Sequence, residues 1–177
     1  MHEGVELHEE HHENHPLVLP VSITISIMAV LVAAVTLLGH RAHTEELLRQ
    51  SQAADRWAQY QAKSVRLHET EGFSDLVNIV ASLDKEKGAA LREKYAKQVE
   101  HYQGDKEDIS KEAKDLEAER DLAGRMADRF DGGEALIEIG LVICSITLLT
   151  KRKFFWLGGM LISAVGIALA LTGFLLH

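Results

Sequence analysis

Two long stretches without any ionisable side chain constrain the fold of this chain more than any other feature. They cover residues 17–39 and 154–176, and each contains 23 consecutive uncharged residues, most of them apolar or small. A helix rises about 1.5 Å per residue, so either stretch would reach roughly 34 Å, which is enough to cross a hydrocarbon core of about 30 Å. We therefore predict transmembrane helix 1 at residues 17–39 and transmembrane helix 3 at residues 154–176.

A third apolar stretch, residues 134–150, is shorter and carries acidic residues near its start. Only the three basic residues 151–153 join it to the last stretch. A connection of this length suits two antiparallel membrane helices that turn at the headgroup surface. We predict transmembrane helix 2 at residues 134–150 and a basic loop at residues 151–153.

The rest of the chain is strongly polar. Residues 1–16 contain five glutamates and no lysine or arginine, whereas a cleaved signal peptide begins with positive charge, so we expect a disordered His/Glu-rich tail and a retained first span. Residues 40–133 are charged and rich in good helix formers. The predicted fold class is an all-α membrane protein with three transmembrane helices and an extramembrane antiparallel, coiled-coil-like hairpin between the first and second.

The return helix of this hairpin carries an alternating four-three spacing, which is typical of a coiled-coil seam. The seam positions are Tyr95, Val99, Tyr102, Lys106, Ile109, Ala113, Leu116, Arg120, Ala123, Ala127 and Phe130. A narrow apolar face on the outgoing helix contains Leu47, Ala54, Trp57, Tyr60, Ser64 and Leu67. We expect Gly72 and Phe73 to interrupt the outgoing helix, Gly132 and Gly133 to act as a hinge, and the surrounding charges to form a solvated face with weak ion pairs.

Small residues recur at three- and four-residue spacing along the apolar stretches, which lets helix backbones approach closely in lipid. The first span contributes Ser22, Ser26, Ala29, Ala33 and Thr36, and the last contributes Gly159, Ser163, Gly166, Ala170 and Gly173. A shorter version, Gly140, Cys144 and Thr147, lies in the second span. We interpret these stripes as helix interfaces, within one chain or between chains, with a ligand- or ion-lining surface as the alternative.

Two glutamates are candidates for function inside the membrane, because an ionisable group at membrane depth is costly and usually faces protein or water. Glu138 is the leading candidate, and a coupling or ion-conducting role would use it with Glu134. The alternative is structural, since Glu138 lies only one turn inside the short predicted span and could reach the headgroup region.

The tail contains the second candidate site. His8, His11, His12 and His15 would share one face of a helix, and imidazole with carboxylate ligands at those spacings suits weak binding of zinc, nickel or copper. A polar, pH-responsive tail is the alternative. We expect no other cofactor and no enzymatic activity, because no nucleophile elbow, phosphate loop, paired-cysteine motif or dinucleotide fingerprint is present.

Charge limits the partners and bears on orientation. The formal net charge of -8 and the lack of a basic face argue against a nucleic-acid partner. The compact basic loop favours a cytoplasmic position for itself and the N-terminus, with the hairpin extracytoplasmic, although Arg41, Arg49, Arg125 and Arg129 favour the opposite orientation. The lipid bilayer, further copies of the chain and a protein docked on the hairpin are the expected partners.

A resemblance to a known family rests on three parts of the chain. They are the His/Glu-rich start, the closing double span around TLLTKRKFFWLGG, and residues 37–66, LLGHRAHTEELLRQSQAADRWAQYQAKSVR. The most specific residues are Asp55, Trp57, Tyr60, Gln61, Ala62 and Lys63. The chain resembles uncharacterised bacterial membrane proteins grouped as a domain of unknown function, which implies a small multi-pass protein of the bacterial inner membrane with no established activity to carry across.

Three functional hypotheses follow. The first is a non-enzymatic, homo-oligomeric membrane protein whose hairpin mediates assembly or docks a partner. The second is an oligomeric ion channel or transporter that uses Glu138. The third is metal binding or sensing through the His-rich tail.

Overall fold

The fold consists of helices throughout the part of the chain that the computed structural model describes, residues 16–80 and 85–176. Helix α1 is Val18–Val80, α2 is Lys85–Thr150 and α3 is Lys153–Gly173, and a short 3-10 turn, Phe174–Leu176, follows α3. No strand occurs within these two ranges. The all-helical prediction is therefore confirmed for the described residues.

Each of the three helices contains a stretch long and apolar enough to cross a membrane, near the N-terminus in α1, in α2, and over Lys153–Leu176. The helices group into two compact units. Unit 1 comprises Met1–Gly39 and Asp128–His177, and unit 2 comprises His40–Ala127.

The closest backbone contacts of unit 1 join α2 to α3 at two pairs of glycines. A Cβ atom placed on Gly140 would lie 2.5 Å from the carbonyl oxygen of Gly159, and one on Gly159 would lie 2.6 Å from that of Gly140. Gly133 and Gly166 show the same reciprocal contact at 2.8 and 2.7 Å. The two pairs are seven residues apart on both helices, the period of two helices that stay in contact along a left-handed crossing.

Helix α1 packs in unit 1 through larger side chains. Val21, Met28 and Val35, again seven residues apart, are buried. The sulfur of Met28 lies 3.8 Å from the hydroxyl oxygen of Ser163, a side chain of α3 that also approaches the carbonyl oxygen of Ile137 on α2 at 3.4 Å. The three helices of unit 1 therefore meet around Ser163.

The same unit brings the start of α3 beside the start of α1. The indole Nε1 of Trp156 donates a hydrogen bond of 3.2 Å to the hydroxyl of Thr24. Helix α2 ends just before Lys151, which has a left-handed φ of 53° and donates its N–H to the carbonyl of Thr147 at 2.8 Å. Since α3 already begins at Lys153, the turn between the two helices is shorter than the predicted loop at residues 151–153.

The expected interruption of the outgoing helix is wrong, because α1 continues through Gly72 and Phe73 to Val80. A single glycine costs a helix only about 1 kcal/mol, and contacts across the helices offset a cost of that size. Phe73 makes such a contact by stacking on Tyr95 at a ring distance of 6.3 Å.

The expected hinge at Gly132 and Gly133 is replaced by continuous helix, since α2 runs from Lys85 to Thr150. Gly133 instead admits the backbone of α3 at Gly166. Its lack of a side chain serves close packing at this position.

The glycine contacts lead to a first prediction. In Gly140→Ala the new methyl group would overlap the hydroxyl oxygen of Ser163 and press on the backbone of α3, so the free energy of unfolding should fall by about 1–3 kcal/mol. Gly158→Ala is the matched control, because nothing lies within 4 Å of a Cβ atom there. Unfolding in mixed detergent micelles measures both, and equal stability of the two variants would contradict the packing described.

Candidate functional site

Glu134 lies on α2 in unit 1 and is half-buried. Its carboxylate accepts a hydrogen bond of 2.6 Å from the hydroxyl of Thr36 on α1. The same hydroxyl oxygen lies 2.9 Å from the carbonyl of Val32. Glu134 is therefore a polar link between two helices of unit 1.

Glu138 is placed differently, although it lies only one turn further along α2. It is exposed, as are Ile139 and Val142 on the same helix. Within residues 16–80 and 85–176 it makes no hydrogen bond and no ion pair. The two predicted acids thus have opposite surroundings.

The contacts of Ser163 set the level of Glu138 within unit 1. Ser163 is the middle residue of α3, ten residues from either end of Lys153–Gly173, and it approaches the carbonyl of Ile137, the residue before Glu138. Ser163 also meets Met28, which lies midway along the part of α1 in unit 1. Glu138 is therefore level with the middle of both neighbouring helices, deeper than its place near the start of the predicted span implied.

The predicted small-residue stripes are distributed unevenly. The five residues on α3 are all buried: Gly159, Ser163, Gly166, Ala170 and Gly173. The stripe on α2 is buried as well, at Gly140, Cys144 and Thr147. On α1, Ser22 and Thr36 are half-buried, and Ser26, Ala29 and Ala33 are exposed. Packing within the chain therefore uses the stripes of α2 and α3, while most of the stripe on α1 faces outward.

Unit 2 contains a regular set of charged contacts between α1 and α2. Arg49 pairs with Glu119 at 3.0 Å, Arg56 pairs with Glu112 at 3.0 Å, and Lys63 pairs with Asp105. Each ion pair lies seven residues further along α1 and seven residues further back along α2. We call these three pairs the charge ladder. Because the steps are equal, the ladder fixes which residues of the two helices face each other.

Aromatic side chains fill the spaces between the ion pairs. The indole Nε1 of Trp57 donates a hydrogen bond of 2.9 Å to Glu117, and Trp57 meets Tyr60 edge to face at 5.4 Å. The ammonium group of Lys106 lies 5.0 Å from the ring centre of Tyr60, a cation–π contact. Polar and aromatic contacts therefore lie beside the buried apolar residues of unit 2, which include Ala53, Leu67 and Ala113.

The inward face of α1 in unit 2 matches the predicted one at Trp57, Tyr60, Ser64 and Leu67, which are buried or half-buried, and differs from it nearer the start of the unit. Leu47 and Ala54 are exposed, while Glu46 is half-buried and Ala53 is buried. The predicted face lies one position too far along the helix here, because the half-buried residues include Glu46, a charged residue that the apolar pattern assigns to the surface. On α2 the eleven predicted seam positions are all buried or half-buried.

The least exposed ion pair of the charge ladder, Lys63 with Asp105, changes the pKa of Asp105. Lys63 and Asp105 are about a quarter exposed, less than the other two pairs of the ladder. The hydrogen bond from Lys63 lowers the pKa of Asp105 below its ordinary value, partial burial opposes this, and the nearby charge of His101 assists it. A lowered pKa means that this carboxylate stabilises the folded state above its unfolded pKa, and that the stabilisation is lost as the pH falls through the folded pKa.

Unit 2 also has a second stripe, on the side of α1 opposite the charge ladder. Its positions follow a four-three spacing at Ala58, Ala62, Val65, Glu69, Gly72, Leu76 and Ile79, and all are exposed. Val65, Leu76 and Ile79 are 58%, 57% and 70% exposed. We call this stripe the outer face. It is apolar except at Glu69.

The proposed metal ligands His8, His11, His12 and His15 lie outside the described residues, and metal binding there stays a prediction. Among residues 16–80 and 85–176, no group of three or more His, Cys, Asp or Glu side chains is arranged to hold a metal ion.

A family model described as "Domain of unknown function (DUF4337)" matches residues 19–176. No curated protein matches the chain, and no solved structure matches it.

The charge ladder leads to a second prediction. Lys63→Met removes the hydrogen bond that is the largest cause of the lowered pKa of Asp105, so this pKa should rise. Carboxyl carbon shifts of Asp105, followed by NMR during a pH titration in detergent, measure the change. Lys97→Met is the control, since Lys97 pairs with Glu93 on its own helix. An unchanged titration of Asp105 in Lys63→Met would contradict the assigned cause.

Proposed function

This chain belongs to the DUF4337 family, a domain of unknown function, and we propose that it is a non-enzymatic integral membrane protein that forms a homo-oligomeric scaffold. Its three apolar helices hold it in the bilayer. The segment between the first two spans forms a helical hairpin and docks on a second copy. The outer face is the observation that carries this proposal.

The outer face supports assembly because its spacing is that of a second coiled-coil seam. Large apolar side chains on a segment rich in Lys, Glu and Asp are costly to leave in water. Two copies in one membrane share the same orientation, so their α1 helices run parallel and equivalent positions meet across a two-fold axis. Val65 and Leu76 would then pack against Val65 and Leu76 of the second copy.

The charge ladder supports the hairpin as a fixed platform for this contact. Isolated surface ion pairs contribute roughly 0–1 kcal/mol each, so the three pairs add little stability. Their equal steps specify a register, which keeps the outer face on the side of α1 turned away from α2. A docking surface of constant geometry follows.

For the location we infer the bacterial plasma membrane, with the N-terminus and the basic turn in the cytoplasm and the hairpin outside. The contact between Trp156 and Thr24 supports a shared side for the N-terminus and the basic turn, since the start of α1 lies at the same end of unit 1 as Lys151 and Arg152. Short basic connections between spans favour the cytoplasmic side.

Cysteine crosslinking tests the scaffold. In a Cys144→Ala background, Val65→Cys should give disulfide-linked dimers in native membranes under mild oxidation, because the two thiols face each other. Gln59→Cys is the matched control, exposed on the same helix and about 120° around it from Val65. Adding Leu76→Glu to Val65→Cys should remove most of the dimer, since each copy would lose a large apolar side chain from the contact and place a second carboxylate there beside Glu69.

A strictly monomeric chain in native membranes would contradict the scaffold. Equal crosslinking at positions 59 and 65 would contradict the outer face as the contact. If the chain is monomeric and another protein co-purifies with it, the hairpin docks a different partner and the homo-oligomer is wrong.

A second candidate, an ion-coupled channel or transporter, is favoured by the level of Glu138 in unit 1. Acids in the middle of membrane helices recur in ion and proton pathways. In an oligomer the outward face of α2 would turn toward neighbouring copies, and Glu138 would line the space between them.

Reconstituted vesicles test this candidate. Glu138→Gln should abolish proton or cation flux driven by an imposed gradient, because it removes the exchangeable charge while keeping the volume of the side chain. Glu138→Asp should retain part of the flux. Unchanged flux in Glu138→Gln would eliminate the candidate and would leave the scaffold untouched.

A further inference from the structure

We propose that Glu138 is a proton-binding site in the middle of the hydrocarbon layer, where its carboxyl group holds a proton and is open to lipid on the outer side of α2. The inference names the ligand of the ion-coupled candidate, and it rests on that candidate only for the position of residues 128–150 inside a membrane. It does not require assembly through the outer face.

Glu138 lies level with the centre of the neighbouring helix α3. Ser163 places Ile137 beside the centre of α3, ten residues from either end of that helix. Ten residues of helix correspond to about 15 Å. A glutamate side chain is far too short to carry its carboxyl group over that distance to the headgroup region.

The surroundings of Glu138 determine the free-energy cost of a charge at this position. An ionised carboxylate at the centre of a bilayer costs about 3 kcal/mol even by the most lenient scale. That cost falls when a hydrogen-bond donor or a cation covers the charge, or when a proton neutralises it. Glu138 has no donor or cation within the described residues, and its neighbours Ile139 and Val142 are apolar and exposed.

Glu134, one turn earlier on α2, differs from Glu138 in its hydrogen bonds. That carboxylate is half-buried and receives the hydroxyl of Thr36 at 2.6 Å, so the fold itself provides a donor for it. One turn further along α2 the fold provides none. The chain therefore contains one carboxyl group, Glu134, that accepts a hydrogen bond from the protein, and one, Glu138, whose charge only a proton would neutralise.

This difference has a chemical consequence that can be measured. Dicyclohexylcarbodiimide partitions into hydrocarbon and reacts with a neutral carboxylic acid. The acid proton moves to one carbodiimide nitrogen and the carboxylate oxygen bonds to the central carbon, which gives an O-acylisourea. Transfer of the acyl group from this oxygen to the neighbouring nitrogen then gives a stable N-acylurea that contains every atom of both reactants, with no oxidant and no leaving group.

The experiment treats the full-length protein in native membranes with dicyclohexylcarbodiimide and, in parallel, with a water-soluble charged carbodiimide. Peptide mass spectrometry locates the adducts. We expect the hydrophobic reagent to modify Glu138 and the charged reagent to leave it unmodified. Exposed carboxylates of unit 2, such as Glu107, report that the charged reagent is active.

Variants separate Glu138 from its neighbour. Glu138→Gln should lose the adduct, Glu138→Asp should retain it, and Glu134→Gln should leave it at position 138 unchanged. Modification of the wild-type protein is read without any substitution, so a variant that fails to insert does not affect the main result.

Each outcome is decisive. No adduct on Glu138 with the hydrophobic reagent overturns the proton site, whether the group is ionised or covered, and leaves the scaffold standing. Modification by the charged reagent overturns a carboxyl group open to lipid and places Glu138 in contact with water. Equal modification of Glu134 and Glu138 overturns the distinction between the two acids.

Discussion

The backbone contact between α2 and α3 at their glycine pairs determines the arrangement of unit 1. In hydrocarbon the hydrophobic effect does not drive helices together, so packing and weak Cα–H hydrogen bonds to carbonyl oxygens must do so. The reciprocal approaches of Gly140 to Gly159 and of Gly133 to Gly166 bring the two backbones close enough for such contacts. Because these contacts allow one alignment of the helices along their axes, they also determine that Glu138 lies level with the middle of α3.

Unit 2 is specified in a different way. Its inward positions include the charged residues Glu46, Arg49, Arg56 and Lys63 beside buried apolar residues such as Leu67. The ion pairs among them are individually weak, but any shift of one helix along the other would bring the wrong residues opposite each other. The two units are thus aligned by different contacts. In unit 1 glycines without side chains let two backbones meet, and in unit 2 charged side chains pair across the helices.

Much of this could be predicted from the sequence, because length and apolar periodicity determine helix type. The three apolar stretches, the seam from Tyr95 to Phe130 and the buried stripe from Gly159 to Gly173 needed no other information. Sequence reasoning failed where a tertiary contact outweighs a local preference, as at Gly72 and Phe73, and where a charge occupies an inward position, as at Arg49.

A signal for the charge ladder was present, since the basic residues 49, 56 and 63 and the acidic residues 105, 112 and 119 each recur every seven residues. The outward position of Glu138 depends on which face of α2 meets α3, and one sequence does not reveal that.

The equal steps of the charge ladder restrict how a chain of this kind can change in length. A single residue inserted into one helix of unit 2 would rotate every later side chain by about 100° and misalign the ion pairs beyond it. Only the gain or loss of a whole heptad in both helices at matching positions keeps acid opposite base. Relatives with a longer or shorter extramembrane segment would then differ from this chain by about fourteen residues at a time, counted over the two helices.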